Sequence, residues 1–327
     1  MTDESFFTRV SLPKTTVSVN YNFSILMAGS CFSQYIGERL AQAKFNATVN
    51  PNGIIYNPIS IANSLNRLLT NKLYTEKELF CYDKKWFSFD HHGNYSAKDA
   101  TSCTEKINES LTGAHHHIKK SNVIFITFGS AWVYEHPEFG VVANCHKLPG
   151  KEFKKKLLSV KEVLDLYQDL IVSLKANCPT TEIVFTVSPV RHVKDGLHEN
   201  NLSKAVLHLV VKNLVEQHTN CHYFPAYEIV IDELRDYRFF KDDLVHPTDM
   251  AISYVWEKFI KTYCDENVQE LIAEVKKIQQ AVQHKPFDYE SDAHQEFIKK
   301  QINLMEELTK QHPFLDFSTE KEQIQQH

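Results

Sequence analysis

Glycine is scarce in this chain, with 9 among 327 residues. Because glycine tolerates backbone conformations that other residues avoid, each of these positions is a candidate for a required turn. Long apolar runs are missing too, and no segment approaches the roughly 20 apolar residues that span a bilayer. Residues 1–5 are acidic and polar and lack the basic and apolar parts of a secretory signal. We therefore expect a cytoplasmic protein with no membrane partner.

The seven cysteines are scattered, odd in number and free of the Cys-x-x-Cys pairs typical of zinc sites. This pattern argues against a disulfide framework and suits a reducing compartment. The tract His115-His116-His117 suggests a metal, but adjacent side chains in regular backbone do not converge on one ion. We expect this tract to be a solvated loop, and we expect neither a metal nor an organic cofactor. The formal net charge of −5 gives no electrostatic reason for a nucleic-acid partner.

Five short apolar segments, each ending in small, polar or turn residues, predict β-strands at 23–27, 46–50, 122–128, 182–187 and 222–224. The third and fourth are nearly continuous apolar runs, which are typical of parallel strands covered on both faces. Amphipathic helices are predicted between them at 33–44, 58–70, 160–177 and 200–218. This alternation predicts a three-layer α/β/α sandwich with a mostly parallel five-stranded sheet.

Two segments fall outside this alternation. Residues 74–117 are rich in aromatic and polar side chains, and we expect an inserted hairpin or a wall over the sheet edge. Residues 264–327 carry apolar side chains at helical spacing, so they predict a helical extension to an α/β domain at 1–263. We expect this extension to act as a brace or as the contact of a homo-oligomer.

A serine follows the first predicted strand along the chain, and an acid–base pair follows the last. Ser30 follows the first strand, whereas Asp243 and His246 follow the last. In a parallel sheet both loops open at the same carboxyl edge, where ligands bind. A serine becomes a nucleophile when a histidine accepts its proton and a carboxylate orients that histidine. The three residues are a candidate triad; taken singly, Ser30 and Asp243 also suit helix caps, and His246 suits the surface.

Other residues at this edge are weaker candidates. Cys31 is an alternative nucleophile, although the adjacent Phe32 suggests that its thiol is buried. Arg191 and His192 follow the fourth predicted strand and therefore reach the same edge. We expect them either to bind substrate or to form ion pairs with neighbouring carboxylates.

The motif AGSCFS at residues 28–33 has companions along the chain: NPNGIIYNP at 50–58, TFGSAWVY at 127–134, ANCHK at 143–147, SPVRH at 188–192 and DLVHP at 243–247. Together they resemble the GSCFA family, a branch similar to SGNH/GDSL-type hydrolases. The resemblance covers most of the chain up to the helical extension. It implies an SGNH/flavodoxin-like fold, with Ser30 as nucleophile and Asp243 and His246 as its partners.

The resemblance also implies an oxyanion hole. Gly53 falls where SGNH enzymes place a glycine whose N–H helps to bind the oxyanion. Their third motif reads Gly-x-Asn-Asp, but here the same place reads Gly129-Ser130-Ala131-Trp132, without the asparagine. A single oxyanion donor accounts for about 10²–10³ in rate, so another group must replace it. The candidates are backbone N–H groups near Ser130, the Ser130 hydroxyl, and Asn144, which also suits a turn.

The activity that the resemblance implies is hydrolysis of an ester, with an O-acyl (acetyl) group on a small carbohydrate-like molecule or oligosaccharide as the expected substrate. An O-acyltransferase that uses the same serine remains an alternative. So does a non-catalytic binding module on the same scaffold, which the missing asparagine favours.

Overall fold

The computed structural model describes residues 8–284, 286, 288 and 291–325. Within these ranges the strands are β1 Ser24–Gly29, β2 Asn46–Val49, β3 Phe80–Tyr82, β4 Lys85–Phe87, β5 Val123–Phe128, β6 Trp132–His136, β7 Gly140–Val142, β8 Lys154–Leu157, β9 Glu182–Val187 and β10 Cys221–Tyr223. The helices are α1 Cys31–Gln42, α2 Pro58–Thr70, α3 Ala100–Ile118, α4 Val160–Asn177, α5 Leu197–Gln217, α6 Ala226–Glu228, α7 Asp249–Tyr263, α8 Glu266–Val282, α9 Asp292–Gln311 and α10 Ser318–Gln325.

The central sheet has the order β2-β1-β5-β9-β10, and every neighbouring pair is parallel. Alternate side chains of β1 enter two separate cores. Leu26 packs with α2 to α5 on one face, whereas Ile25 and Met27 pack with α1 and α7 to α9 on the other. The predicted three-layer sandwich and its five strands are therefore confirmed. The order in which strands are added reverses between β1 and β5, and such a reversal opens a crevice at the carboxyl edge.

The junction of β1 and α1 lies at this crevice and depends on Gly29. Its φ is +129°, and a Cβ atom there would lie 2.2 Å from the carbonyl oxygen of Thr127 in β5. The Gly29 N–H donates to Asn50 Oδ1 at 3.0 Å, and the Ser30 N–H donates to the Thr127 carbonyl at 3.2 Å. The chain consequently leaves the sheet at Gly29 and begins α1 one residue after Ser30.

Residues 74–117 contain the expected hairpin, in which β3 pairs antiparallel with β4. The second half of the segment differs from the prediction because it forms helix α3. Asp99 caps this helix by accepting the Ser102 N–H at 2.7 Å. Its buried face carries apolar side chains at helical spacing, namely Cys103, Ile107, Leu111, Ala114 and Ile118. Helix α3 thereby completes the outer layer that covers β1.

The expectation of a solvated loop at residues 115–117 is wrong, because these histidines form the last turn of α3. His115 Nδ1 donates to the carbonyl of Leu68 at 2.6 Å, and His117 Nε2 donates to the carbonyl of Ile25 at 2.8 Å. Two of the three side chains thus fasten α3 to α2 and to β1. Among the described residues, no group of three or more His, Cys, Asp or Glu side chains is placed to hold a metal ion.

A second, antiparallel sheet with the order β7-β6-β8 follows β5 and was not predicted. Its aromatic side chains meet those of the β3–β4 hairpin. The Phe80 and Phe89 rings stack with centroids 4.0 Å apart, and Phe139 packs against both. Phe89 is only 3% exposed. This aromatic group is therefore a small core that joins the hairpin to the second sheet.

The C-terminal extension is helical, as predicted, and it packs against the α1 side of the sheet. Val275 of α8 and Met305 of α9 are fully buried in the same core as Ile25 of β1. Lys44, just after α1, pairs with Glu320 of α10 at 2.6 Å. These contacts are those expected of a brace. Contact between this extension and a second copy of the chain stays a prediction. Among the described helices, none has the length and apolar character that crossing a membrane requires.

The Gly29→Ala variant tests the β1–α1 junction. The new Cβ would meet the Thr127 carbonyl in a backbone conformation that alanine rarely adopts. We expect the free energy of unfolding, measured by urea denaturation, to fall by about 2–4 kcal/mol.

Gly113→Ala is the matched control, because nothing lies within 4 Å of the added Cβ in helix α3. It should raise the free energy of unfolding by about 0.5–1 kcal/mol. A Gly29→Ala protein as stable as the wild type would contradict the account of the junction.

Candidate active site

Ser30 lies at the carboxyl end of β1, next to the point where the strand order reverses. It is the N-cap of α1, and its Oγ accepts the Phe32 N–H at 3.3 Å. The residue is 1% exposed. The structure therefore shows both the cap and the position at the sheet edge that the sequence suggested for this serine. A group at the N-terminus of a helix also lies at the positive end of the helix dipole.

Asp243 and His246 form a direct pair in the loop before α7. Asp243 Oδ2 accepts the Nδ1–H of the His246 ring at 2.7 Å. Asp243 Oδ1 accepts the backbone N–H groups of Val245 and His246, each at 2.9 Å. These backbone donors, followed by the His246 ring, lower the pKa of Asp243 to about 2. Because the ionised carboxylate only accepts, Nδ1 carries the ring proton and Nε2 is left able to accept another.

The loop is held in shape by its own backbone. The Lys241 N–H donates to the His246 carbonyl at 2.8 Å, and the Leu244 N–H donates to the Lys241 carbonyl at 2.8 Å. Leu244 has a φ of +58°, which closes the turn between the acid and the base. His246 is thus presented by a tight loop, and its side chain is 39% exposed.

This loop lies against the first turns of α1. Pro247 lines a small cavity together with Phe32 and Tyr35 of α1 and Pro189 of the segment after β9. Burial raises the pKa of the Tyr35 hydroxyl, and the Asp243 carboxylate adds to this effect. In the part of the chain that the structure describes, no hydrogen bond joins Ser30 Oγ to His246 Nε2. Catalytic hydrogen bonds are often long in unliganded sites and tighten when substrate binds.

Cys31 is poorly suited to replace Ser30. Its side chain is buried, and burial raises the pKa of the thiol to about 11 against the opposing charge of Lys204. The thiolate, which is the reactive form, is therefore a very small fraction at neutral pH.

The backbone donors proposed for the oxyanion hole already have partners. The Gly53 N–H donates to the Asn50 carbonyl at 2.7 Å. The N–H groups of Gly129 and Ser130 both donate to the Tyr56 carbonyl, at 2.8 and 3.0 Å. Each would have to leave or share its carbonyl to bind an oxyanion, and these roles stay predictions.

The side-chain candidates for the same task are also engaged. Asn144 Oδ1 accepts the His146 N–H at 2.8 Å, which is the turn that the sequence offered as an alternative. Ser130 Oγ accepts the Trp132 N–H at 3.1 Å and lies 3.3 Å from Ser203 Oγ. The structure therefore gives both side chains local roles without testing an oxyanion role.

Arg191 and His192 differ in their surroundings. His192 Nδ1 lies 3.1 Å from Asp195 Oδ2, and Lys155 lies 2.6 Å from Asp195 Oδ1. Among the described residues, no carboxylate lies within ion-pair distance of Arg191. His192 thus has a carboxylate partner and Arg191 has none among the described residues, and a substrate-binding role stays a prediction for both.

Lys204 of α5 was missed by the sequence analysis. It is 2% exposed, and its Nζ donates to the carbonyls of Gly129 at 2.6 Å and Ser188 at 2.7 Å. Burial lowers the pKa of this amine to about 7. A signal was present in the sequence, because Lys204 falls on the buried face of α5 with Leu207 and Val211.

Comparison with protein-family models identifies the family. The model of the GSCFA family matches residues 24–259, and that of the GSCFA domain protein, C-terminal domain, matches residues 275–327. The chain therefore belongs to the GSCFA family. No curated protein matches it. Among solved structures, the chain is similar to one described as a candidate platelet activating factor from Streptococcus pneumonia, with a TM-score of 0.38, 14% identity and coverage of 75% of this chain and 86% of that chain.

Titration of the Asp243 carboxyl group tests whether the pair of Asp243 and His246 forms in solution. Its ¹³C NMR titration should have a midpoint at about pH 2, well below the ordinary 3.8. In His246→Ala the midpoint should rise because one donor is lost, yet remain below 3.8 because the two backbone donors persist. A wild-type midpoint near the ordinary value, or an unchanged midpoint in the variant, would show that the pair does not form.

Proposed function

We propose that this protein is a serine hydrolase that cleaves an ester, with Ser30 as nucleophile, His246 as general base and Asp243 as the group that orients His246. The observation that carries the proposal is the 2.7 Å hydrogen bond from His246 Nδ1 to Asp243, which leaves Nε2 able to accept a proton. The loop bearing this pair lies beside the helix that Ser30 caps. Membership of the GSCFA family and the resemblance to SGNH hydrolases support the same assignment.

The reaction proceeds in two halves. Ser30 Oγ attacks the ester carbonyl carbon while its proton passes to His246 Nε2. The tetrahedral intermediate then expels the alcohol, which takes that proton from His246 and leaves an acyl-serine. Water attacks the acyl-serine with His246 again as base, so that the acid is released and Ser30 regains its proton. Asp243 stays ionised throughout the neutral range because its pKa is about 2.

The oxyanion forms close to the N-terminus of α1. The first N–H groups of a helix lack intrahelical acceptors, and the helix dipole favours negative charge there. We assign the oxyanion to the N–H groups around Ser30 and to that of Gly53. To contribute, the Ser30 N–H must leave or share the Thr127 carbonyl, and the Gly53 N–H must turn away from the Asn50 carbonyl. Gly129, Ser130 and Asn144 remain the candidates to supply the oxyanion donor that the missing asparagine would provide.

For the substrate, we propose an O-acyl ester of a carbohydrate-like molecule. The aromatic segment 80–95 is poorly suited to stack on a sugar, because Phe80 and Phe89 stack on each other. Tyr56 is a better candidate, since its backbone holds the Gly129 segment and the residue is 42% exposed. Arg191 can hold a polar or anionic group of the substrate at the same edge.

A non-catalytic binding module is the second candidate function. The occupied oxyanion donors and the absence of the SGNH-type asparagine favour it. An O-acyltransferase would share the acyl-serine with the hydrolase and differ in the acceptor, a sugar hydroxyl in place of water. Product analysis separates the two enzymes, because the hydrolase releases free acid whereas the transferase forms a new ester.

Ser30→Ala tests the nucleophile with a short acyl ester as substrate. We expect kcat to fall by at least about 10³-fold, since the acyl-enzyme cannot form. The fold should survive, because the change removes one hydroxyl that caps α1 at the cost of about 1 kcal/mol.

Cys31→Ser is the control at the neighbouring position, and it should keep most of the activity because the buried thiol takes no part. Activity in Ser30→Ala equal to that of the wild type would overturn the hydrolase assignment. Loss of activity in Cys31→Ser with retention in Ser30→Ala would move the nucleophile to Cys31.

A further inference from the structure

Helix α5 begins with three buried polar side chains that point at the carboxyl edge of the sheet. Asn200, Ser203 and Lys204 are each 1–2% exposed. Such residues are rarely buried without partners, and lysine least of all. Their hydrogen-bond partners therefore indicate what this end of α5 does.

Lys204 joins the ends of two neighbouring strands. Its Nζ donates to the carbonyl of Gly129, one residue after β5, and to the carbonyl of Ser188, one residue after β9. No carboxylate in the described part of the chain lies within ion-pair distance of it. Both the neutral and the charged amine have the N–H groups that two carbonyls need, and burial lowers the pKa of this amine to about 7.

The two other side chains hold the same segments. Ser203 Oγ accepts the Ala131 N–H at 2.8 Å, and Asn200 Oδ1 accepts the His192 N–H at 2.9 Å. The segment after β5 corresponds to the third SGNH motif, in which this chain lacks the asparagine. Three side chains of one helix thus fix the two backbone segments that border the crevice beside Ser30.

Lys204 is also close to the nucleophile's own helix. The titratable groups that face it are the Cys31 thiol from α1, adjacent to Ser30, and the His208 ring one turn along α5. An apolar residue would fill this space without the cost of burying an amine. Buried Lys204 therefore departs from the rule that cores are apolar, and such departures are expected at functional sites.

We propose that Lys204 is a positioning residue for the reaction at Ser30, because it clamps the Gly129 and Ser188 carbonyls and so fixes the strand ends that border the oxyanion. The proposal rests on the hydrolase function proposed above. Lys204 does not touch the substrate; it acts through the backbone of residues 129–131. Its loss should therefore weaken binding of the transition state more than binding of the ester.

The test compares Lys204→Met and Lys204→Gln with Lys212→Met, a control on the exposed face of α5, where Lys212 pairs with Glu216. Both Lys204 variants should lose roughly 10- to 100-fold in kcat with little change in KM, since small misplacements of catalytic groups have effects of this size. Lys204→Gln, which keeps an N–H donor, should lose less than Lys204→Met. Lys212→Met should match the wild type in both constants.

Amide hydrogen exchange read by mass spectrometry gives a second measurement that needs no activity. Faster exchange confined to residues 129–132 and 188–192 in the Lys204 variants, with native melting behaviour, supports the clamp. Unchanged kcat and exchange would overturn the proposal, as would a loss of kcat that only follows the loss of folded protein. An inactive wild type would instead overturn the hydrolase function, and with it the role of Lys204 in catalysis, while the exchange data would still show whether the clamp exists.

Discussion

The close approach of Gly29 to the Thr127 carbonyl is the constraint on which the rest of the site depends. Only a residue without a Cβ fits there at a φ of +129°, and the Asn50 side chain and the Thr127 carbonyl then hold the turn from both neighbouring strands. The chain leaves the sheet at one defined point and starts a helix at once. Ser30 consequently becomes both the cap of that helix and a side chain at the carboxyl edge of the sheet.

The two halves of the proposed site are built by different means. Ser30 is placed by the sheet, whereas His246 is placed by a loop whose backbone hydrogen bonds and Asp243 carboxylate are all local. The loop lies beside the first turns of α1, where Pro247, Phe32 and Tyr35 line the same small cavity. Lys204 adds a third element, since it ties the two strand ends across the crevice. The proposed oxyanion donors must rearrange before they can act, because their backbone N–H groups are already hydrogen-bonded to carbonyls.

The sheet could be predicted because strands buried on both faces have continuous apolar sequences. Helix α3 was not predicted, although its apolar positions have helical spacing, because the aromatic and polar composition of residues 74–117 favoured a hairpin. The β6-β7-β8 sheet escaped prediction because its short strands are half exposed and mix polar with aromatic residues. The proposed triad rests on the order of the strands along the chain and on family resemblance, and the structure shows only the Asp243–His246 part of it as a hydrogen-bonded pair. Lys204 was missed because a charged residue is ordinarily assigned to the surface, and only the structure shows the two carbonyls that it serves.

Covalent labelling with a fluorophosphonate, followed by peptide mapping, decides whether Ser30 is an activated nucleophile, because the probe reacts only with such a group. We expect a single adduct on Ser30 and its loss in His246→Ala, in which the base is absent. An adduct on another residue, or labelling of Ser30 that is equally fast without the His246 ring, would contradict this expectation.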